Sequence, residues 1–159
     1  MIRLDEIVKG IGRAIAEKYA VYAEPPLQVD EEIERYVVVT VIPIAEVHAG
    51  PQYTERLIEV DIANVGDGEI TNAEFFEFVF DCDAALRPAF AFAGRQIMPE
   101  GIRTNITDGV GHYLFQLSFY DTLEGVFDNT TPEMGGYNGQ LTMDNEGKGQ
   151  EQWIIDSGQ

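Results

Sequence analysis

The sequence predicts an α+β fold: a mixed or antiparallel sheet of about four to five strands, carrying one long hairpin and flanked by two helices. Three observations predict it. In TDGVGHYLFQLSFYDT, residues 107–122, Tyr113, Phe115, Leu117 and Phe119 alternate strictly, so one strand face is wholly apolar. Two long β-branched runs, over 35–48 and 54–65, are separated by the turn residues Ala49-Gly50-Pro51. Two further segments, one near each end of that pair of runs, carry apolar residues at helical spacing.

The first helix is predicted over Leu4 to Tyr19. Leu4, Ile7, Val8, Ile11 and Ile15 share a face, while Asp5, Lys9, Arg13 and Glu17 lie elsewhere on the wheel. Asp5 and Glu6 suit the positive end of the helix dipole. Val21–Ala23 reads as a short strand ended by Pro25-Pro26, and residues 24–35 as a polar, acid-rich connection.

The strand over Arg35–His48 is almost continuously apolar at Tyr36, Val37, Val38, Val39, Val41, Ile42 and Ile44. This predicts a central strand covered on both faces. Pro43 donates no ladder hydrogen bond and predicts a bulge or a change of partner. In the next strand, Ile58, Val60 and Ile62 face one way and Glu59 and Asp61 the other. The pair is longer than an ordinary strand of about five or six residues, so its tip is expected to project from the body.

Gly66-Asp67-Gly68 ends that strand, and the capping box Thr71-Asn72-Ala73-Glu74 opens the second helix, which stops before Pro88. Phe75, Phe76, Phe78, Val79, Phe80 and Cys82 predict a helix buried around most of its circumference. An acidic stripe of Glu74, Glu77 and Asp81 remains. Short strands are expected near Phe90–Ala93 and Gln96–Met98, and residues 101–106 lead through the Asp108-Gly109 turn into the aromatic strand.

The chain therefore divides into a single α+β domain, residues 1–123, and an acidic, Gly-rich C-terminal arm, residues 124–159, that ends in the apolar cluster Trp153-Ile154-Ile155. That cluster is expected either to pair back onto the sheet or to anchor on another subunit.

Charge narrows the function classes. Twenty-eight acids against ten Lys and Arg give a formal net charge of −18. No basic stripe is present to neutralise phosphates, so gripping nucleic acid is excluded. The acid excess repels DNA and anionic membranes; it suits either plain solubility or a surface past which DNA slides without sticking. No apolar run approaches the roughly 20 residues a membrane span requires. Acids stand at Asp5 and Glu6, where a secretion signal has its apolar core, so the chain is expected to stay in the compartment where it is made.

Residues with catalytic potential are few. His48 and His112 are the only histidines and Cys82 the only cysteine, so a Cys82–His112 pair is the one thiol–imidazole combination available. Ser118 and Ser157 lie in no nucleophile elbow, Gly109-Val110-Gly111 leads into a strand and not a helix, and no Walker loop is present. Asp81 and Asp83, two apart on a helix, diverge and make a poor metal pair. No catalytic residue, metal or cofactor is nominated. The enzymatic alternative is an apolar pocket lined by the aromatic strand and the Phe-rich helix, with His112, Asp108 and Tyr120 as its polar groups.

The order of elements, with LDEIVKGIGRAI at the start and TDGVGHYLFQLSFY near the end, resembles the phage tail terminator proteins of long-tailed bacteriophages and related prophage particles, over about residues 2–122. The resemblance implies a non-enzymatic protein of the virion tail, assembled in the host bacterial cytoplasm. It implies a homo-oligomeric ring, a hexamer, that caps the head-proximal end of the tail tube, stops its polymerisation and offers a surface for head joining. The partners implied are further copies of the chain, the tail tube protein, and the tail sheath and neck or connector proteins. DNA passes without specific binding, and no membrane is involved. Another head–tail connector or a minor tail protein is the related alternative. Expected subunit or partner contacts are His48, Tyr53, Tyr120, Trp153 and Ile154, and the expected acidic lumen is Glu74, Glu77 and Asp81.

Overall fold

A computed structural model describes residues 1–122; the expected arm, with Trp153 and Ile154, lies outside the described residues. In chain order the elements are α1 (Leu4–Ile15), β1 (Ala20–Tyr22), β2 (Arg35–His48), β3 (Tyr53–Gly66), α2 (Asn72–Leu86), β4 (Phe90–Phe92), β5 (Arg95–Ile97), β6 (Glu100–Thr107) and β7 (Val110–Thr122). Five strands form one sheet in the order β1-β2-β3-β7-β6, and β4 and β5 pair separately. Only β1–β2 is parallel; the other pairs of the large sheet are antiparallel. The predicted class and sheet size hold.

Alternation sets the layering. On β7 the row Tyr113, Phe115, Leu117 and Phe119 is buried, as are Ile58, Val60 and Ile62 on β3. Register places Ile62 opposite Tyr113, Val60 opposite Phe115 and Ile58 opposite Leu117, so the rows form one apolar face. Both helices cover that face: Ile7, Ile11 and Ile15 of α1 and Phe78, Cys82 and Leu86 of α2 share its core. The β4–β5 hairpin closes one margin, with Phe90 edge-on to Phe115 at 6.1 Å and Phe92 edge-on to Phe119 at 5.8 Å.

Four expectations change. Helix α1 ends at Ile15, four residues before Tyr19, because Lys18 and Tyr19 turn back on the Ile15 carbonyl and the chain enters β1 at Ala20. Residues 100–107 form a full strand that a mixed polar sequence, exposed along nearly its whole length, does not announce. The Asp108-Gly109 link has φ of 51° and 77°, the two-residue hairpin turn that twists with its strands, and so β6 folds straight back on β7. Strand β2 is buried on both faces only at Val37, Val38 and Val39; from Thr40 onward it is largely exposed. The hairpin does not stand clear of the sheet, since β7 accompanies β3 along its length, from Asn64 opposite Gly111 to Tyr53 opposite Thr122. Pro43 does mark a bulge, with the register slipping between Pro43 and Ala45.

A buried polar knot ties the first residues to the last of the described chain. The Ile2 N–H donates to Asp121 Oδ2 at 2.7 Å, and Arg56 Nη1 donates to the Ile2 carbonyl at 2.8 Å and to Asp121 Oδ2 at 3.2 Å. Arg56 is 8% and Asp121 2% exposed, so each charge depends on the other. Burial alone raises the Asp121 carboxyl, but the Ile2 N–H, the Arg56 guanidinium and the Thr122 N–H together hold it below its ordinary value.

Two predictions follow from packing and from this knot. Gly10 sits where a Cβ would come within 2.5 Å of Phe92 Cβ and 2.8 Å of the Ala91 carbonyl, so Gly10→Ala is expected to cost about 1–3 kcal/mol in denaturant unfolding. Asp121→Asn leaves Arg56 with the Ile2 carbonyl and the Glu46 carboxylate 3.8 Å from its Nε, and is expected to cost about 1–3 kcal/mol near neutral pH. Because the folded carboxyl titrates low, its contribution is complete above the unfolded value of about 3.9 and fades as pH falls through the lower folded value. The gap between the two proteins should therefore close on acidification, which parallel unfolding curves from neutral to low pH will show.

Candidate assembly surfaces

Antiparallel register gathers three of the expected contact residues at one end of the sheet. His48 lies opposite Thr54, Tyr53 opposite Thr122, and Tyr120 opposite Glu55. Tyr53 is 49% and Tyr120 59% exposed, and both belong to the face turned away from the helices. His48 Nδ1 lies 3.4 Å from the buried Thr54 hydroxyl. Around them β2 exposes Ile42, Ile44 and Val47 at 45%, 47% and 59%. These apolar side chains occupy a strand that sequence pattern alone reads as core.

A second apolar surface runs along α2. Phe76 and Phe80, four residues apart, are 68% and 70% exposed, with Met98 at 58% beside them. Phe80, Ala84, Pro88, Met98 and Pro99 line a shallow groove of about 630 Å³ whose polar margin is Asp83 and Arg87. The helix is thus not buried around most of its circumference. Phe78, Cys82 and Leu86 face the sheet, with Phe75, Val79 and Ala85 partly buried beside them, because a single β-layer covers one side of a helix and no more. Six apolar residues within eight positions left the buried stripe unreadable; the i, i+4 spacing of Phe76 and Phe80, opposite Phe78, was the available sign.

The three acids of the expected stripe, Glu74, Glu77 and Asp81, occupy three environments. Glu74 serves the capping box: its Oε2 accepts from the Thr71 N–H at 2.8 Å, while the Glu74 N–H donates to the Thr71 hydroxyl at 3.2 Å. The Thr71 N–H first, and then the Thr71 hydroxyl, which donates to the same Oε2 at 2.9 Å, hold the Glu74 carboxyl below its ordinary value. Glu77 is exposed. Asp81 is only 7% exposed, and it accepts from Lys18 Nζ at 2.6 Å and from the Tyr19 hydroxyl at 2.9 Å. The carboxylate raises the Lys18 ammonium; burial first, and then the same bond, raises the Tyr19 phenol. Asp81 therefore holds the α1–β1 corner against α2.

The residues of the enzymatic alternative do not converge. His112 shares a face with Asp61, whose carboxylate oxygens both lie 3.0 Å from Nδ1, and alternation directs it away from the Tyr113 core row. Cys82 is fully buried on the opposite side of the sheet, and burial raises its thiol. Asp108 occupies the exposed hairpin turn, and Tyr120 lies eight residues along β7 from His112, roughly 26 Å away. The space between helices and sheet is filled by Phe78, Tyr113, Phe115 and Phe92. Among the described residues no three His, Cys, Asp or Glu side chains cluster as metal ligands, and no helix is long and apolar enough to cross a membrane.

What the surface offers, then, is strand edge and exposed apolar side chain, the equipment of a structural protein that works through contact. A family model described as phage tail terminator protein matches residues 6–129, which is most of the chain, and the chain belongs to that family of structural proteins of the phage tail. No curated protein matches the sequence. One solved chain, of no stated function, is similar with a TM-score of 0.41 at 14% identity, over 77% of this chain and 97% of that one.

The two kinds of phenylalanine on α2 separate in their consequences. Phe78→Ala is expected to cost about 3–5 kcal/mol by emptying the core. Phe76→Ser and Phe80→Ser should leave stability within about 0.5 kcal/mol while changing association or solubility. Thermal melts set beside light scattering on the three variants will check this.

Proposed function

We propose that this protein ends the tail tube. Copies of the chain form a ring, a hexamer by family resemblance, that seats on the head-proximal end of the tube, stops its polymerisation and presents the surface to which the head joins. The observation that carries this reading is the family match over residues 6–129. Its support in the fold is a subunit with bare strand edges and separated apolar patches, the features a head-to-tail contact requires. The tube protein is the first partner, with the sheath and neck or connector proteins beyond it. The protein carries out no chemistry, needs no cofactor, and resides in the virion tail after assembly in the host cytoplasm.

Charge fits the passage of DNA. A ring of chains at −18 each presents DNA with a repulsive wall that it does not adhere to. On α2 the exposed Glu77 is the residue best placed to contribute to such a wall, together with Glu74 at the helix start. The residues beyond Thr122, including Trp153 and Ile154, are proposed as an arm that reaches a neighbouring subunit or partner.

The decisive experiment grows tail tubes from purified tube protein with and without this protein and measures their lengths by electron microscopy. Capped tubes with one density at a single end are expected; tubes that lengthen without limit, with nothing bound at either end, would refute the reading. Ring closure crowds like charges within about 10 Å of screening, so raising salt from low to moderate levels should increase the assembled fraction. Native mass measured across that range tests the point, and an unchanged distribution would contradict it.

A further inference from the structure

We infer that neighbouring copies join by strand addition, with the bare edge of β2 in one copy pairing antiparallel with the outer edge of β6 in the next. This deepens the terminator reading and rests on it for ring closure; the joint itself is argued from the sheet.

Strand β1 pairs with β2 only at Tyr36, Val37 and Val38. From there to His48, residues 39–48 have no strand on their outer side among the described residues. That is an open ladder of ten residues, roughly 30 Å long. Soluble proteins ordinarily cover such an edge or line it with charge. This one carries Val41, Ile42, Ile44 and Val47, with Pro43, which has no N–H to donate, and the single charge of Glu46 as its guards. At the far margin of the same sheet, β6 pairs with β7 on one side and has no strand on the other among the described residues. It is eight residues long, exposed along nearly all its length, and shows Ile106 at 40%.

The directions of the strands select this pairing. β3 opposes β2, β7 opposes β3, and β6 opposes β7, so β6 runs opposite to β2. Rotation about a ring axis parallel to the strands leaves their sense unchanged. The β6 of a neighbour thus arrives antiparallel to β2, and the alternation continues through the joint without a parallel step. The two edges are different surfaces, as a closing head-to-tail contact needs. Joining β2 to β2 instead would make a two-fold pair, use up the longer of the two edges and leave β6 without a complement. With every copy strongly acidic, backbone ladder bonds and apolar side chains supply a contact that asks for no opposite charge.

The test uses full-length chains with one cysteine on each edge: Ile42→Cys or Ile44→Cys combined with Arg103→Cys, Thr104→Cys or Asn105→Cys, a panel wide enough to span register slips. Native Cys82 is buried and stays in place. Oxidation is run on the protein alone and on the protein bound to tail tubes, and products are resolved without reductant. Double variants are expected to yield a ladder of covalent multimers, and each single variant none, since a disulfide forms only where Cα atoms come within about 7 Å. Ile44→Lys should raise the dissociation constant of assembly by about tenfold or more, with the melting temperature unchanged. Self-crosslinking of a single β2 variant would overturn the inference. So would a ring of full mass in which no double variant crosslinks, though the terminator reading would then stand. A chain that stays solitary both alone and with tubes overturns the joint, and only unlimited tube growth in its presence removes the terminator reading as well.

Discussion

The register of β3 against β7 is the constraint from which the rest of the structure follows. Twelve consecutive residue pairs, from Asn64 opposite Gly111 to Tyr53 opposite Thr122, fix which side chains meet. A slip of one position would put the two apolar rows on opposite faces, turning either Phe115 and Leu117 or Val60 and Ile58 to the open face and bringing Gln116, or Glu59 and Asp61, beneath the helices. The cost of burying those acids without partners far exceeds what one hydrogen-bonded ladder supplies. The helices are therefore consequences of the pairing: α1 and α2 lie where the two strands present an apolar surface, and β4–β5 closes the margin where Phe115 and Phe119 continue it.

The same register assembles the polar knot. Because Arg56 stands opposite Phe119 on the core face, its guanidinium reaches both the Ile2 carbonyl and Asp121. The ring of Phe119 lies between Arg56 and Arg95, each guanidinium 5.9 Å from its centroid, and Arg95 donates to the Tyr120 carbonyl. The end of β7 is thus held from three directions: by the chain start, by β3 and by the β4–β5 hairpin. Its outer edge is occupied at Tyr120, in contrast to that of β2. Of the two margins of this end of the sheet, one is met by the Arg95 side chain, and the other has no strand beside it among the described residues.

Much of this was legible in the sequence where a pattern had one physical meaning. The alternation of Tyr113 to Phe119, the opposed faces of β3, the capping box at Thr71 and the bulge at Pro43 each reflect a local rule, and the structure obeys them. The failures share a cause. An apolar residue was read as buried, although burial depends on what the fold has available to cover it. Ile42, Ile44, Val47, Phe76 and Phe80 satisfy every local criterion for core and find no layer above them. Strand β6 shows the converse: Glu100, Arg103, Thr104 and Asn105 carry no period because nothing is buried, and the strand exists through its turn and its partner. Tyr53 and Tyr120 lie at one end of the sheet through the β3–β7 pairing, a long-range register that no local pattern announces. Asp81 looked like a member of an open stripe because its cover, Lys18 and Tyr19, lies some sixty residues away in the chain.

The exposed apolar residues and the acid excess belong to one argument. A chain this acidic resists association with itself, and that repulsion reaches only about 10 Å at ordinary ionic strength. Contacts made of ladder bonds and side chains such as Ile42 and Ile44 act at shorter range and do not weaken with salt. The two ranges sort encounters. Copies approaching in arbitrary orientation meet repulsion with no compensating surface, while copies that align open edges gain attraction at the distance where screening has removed most of the opposing field. An acidic body with apolar strand edges would therefore favour a partner of matching geometry over chance encounters, which is what the proposed ring requires.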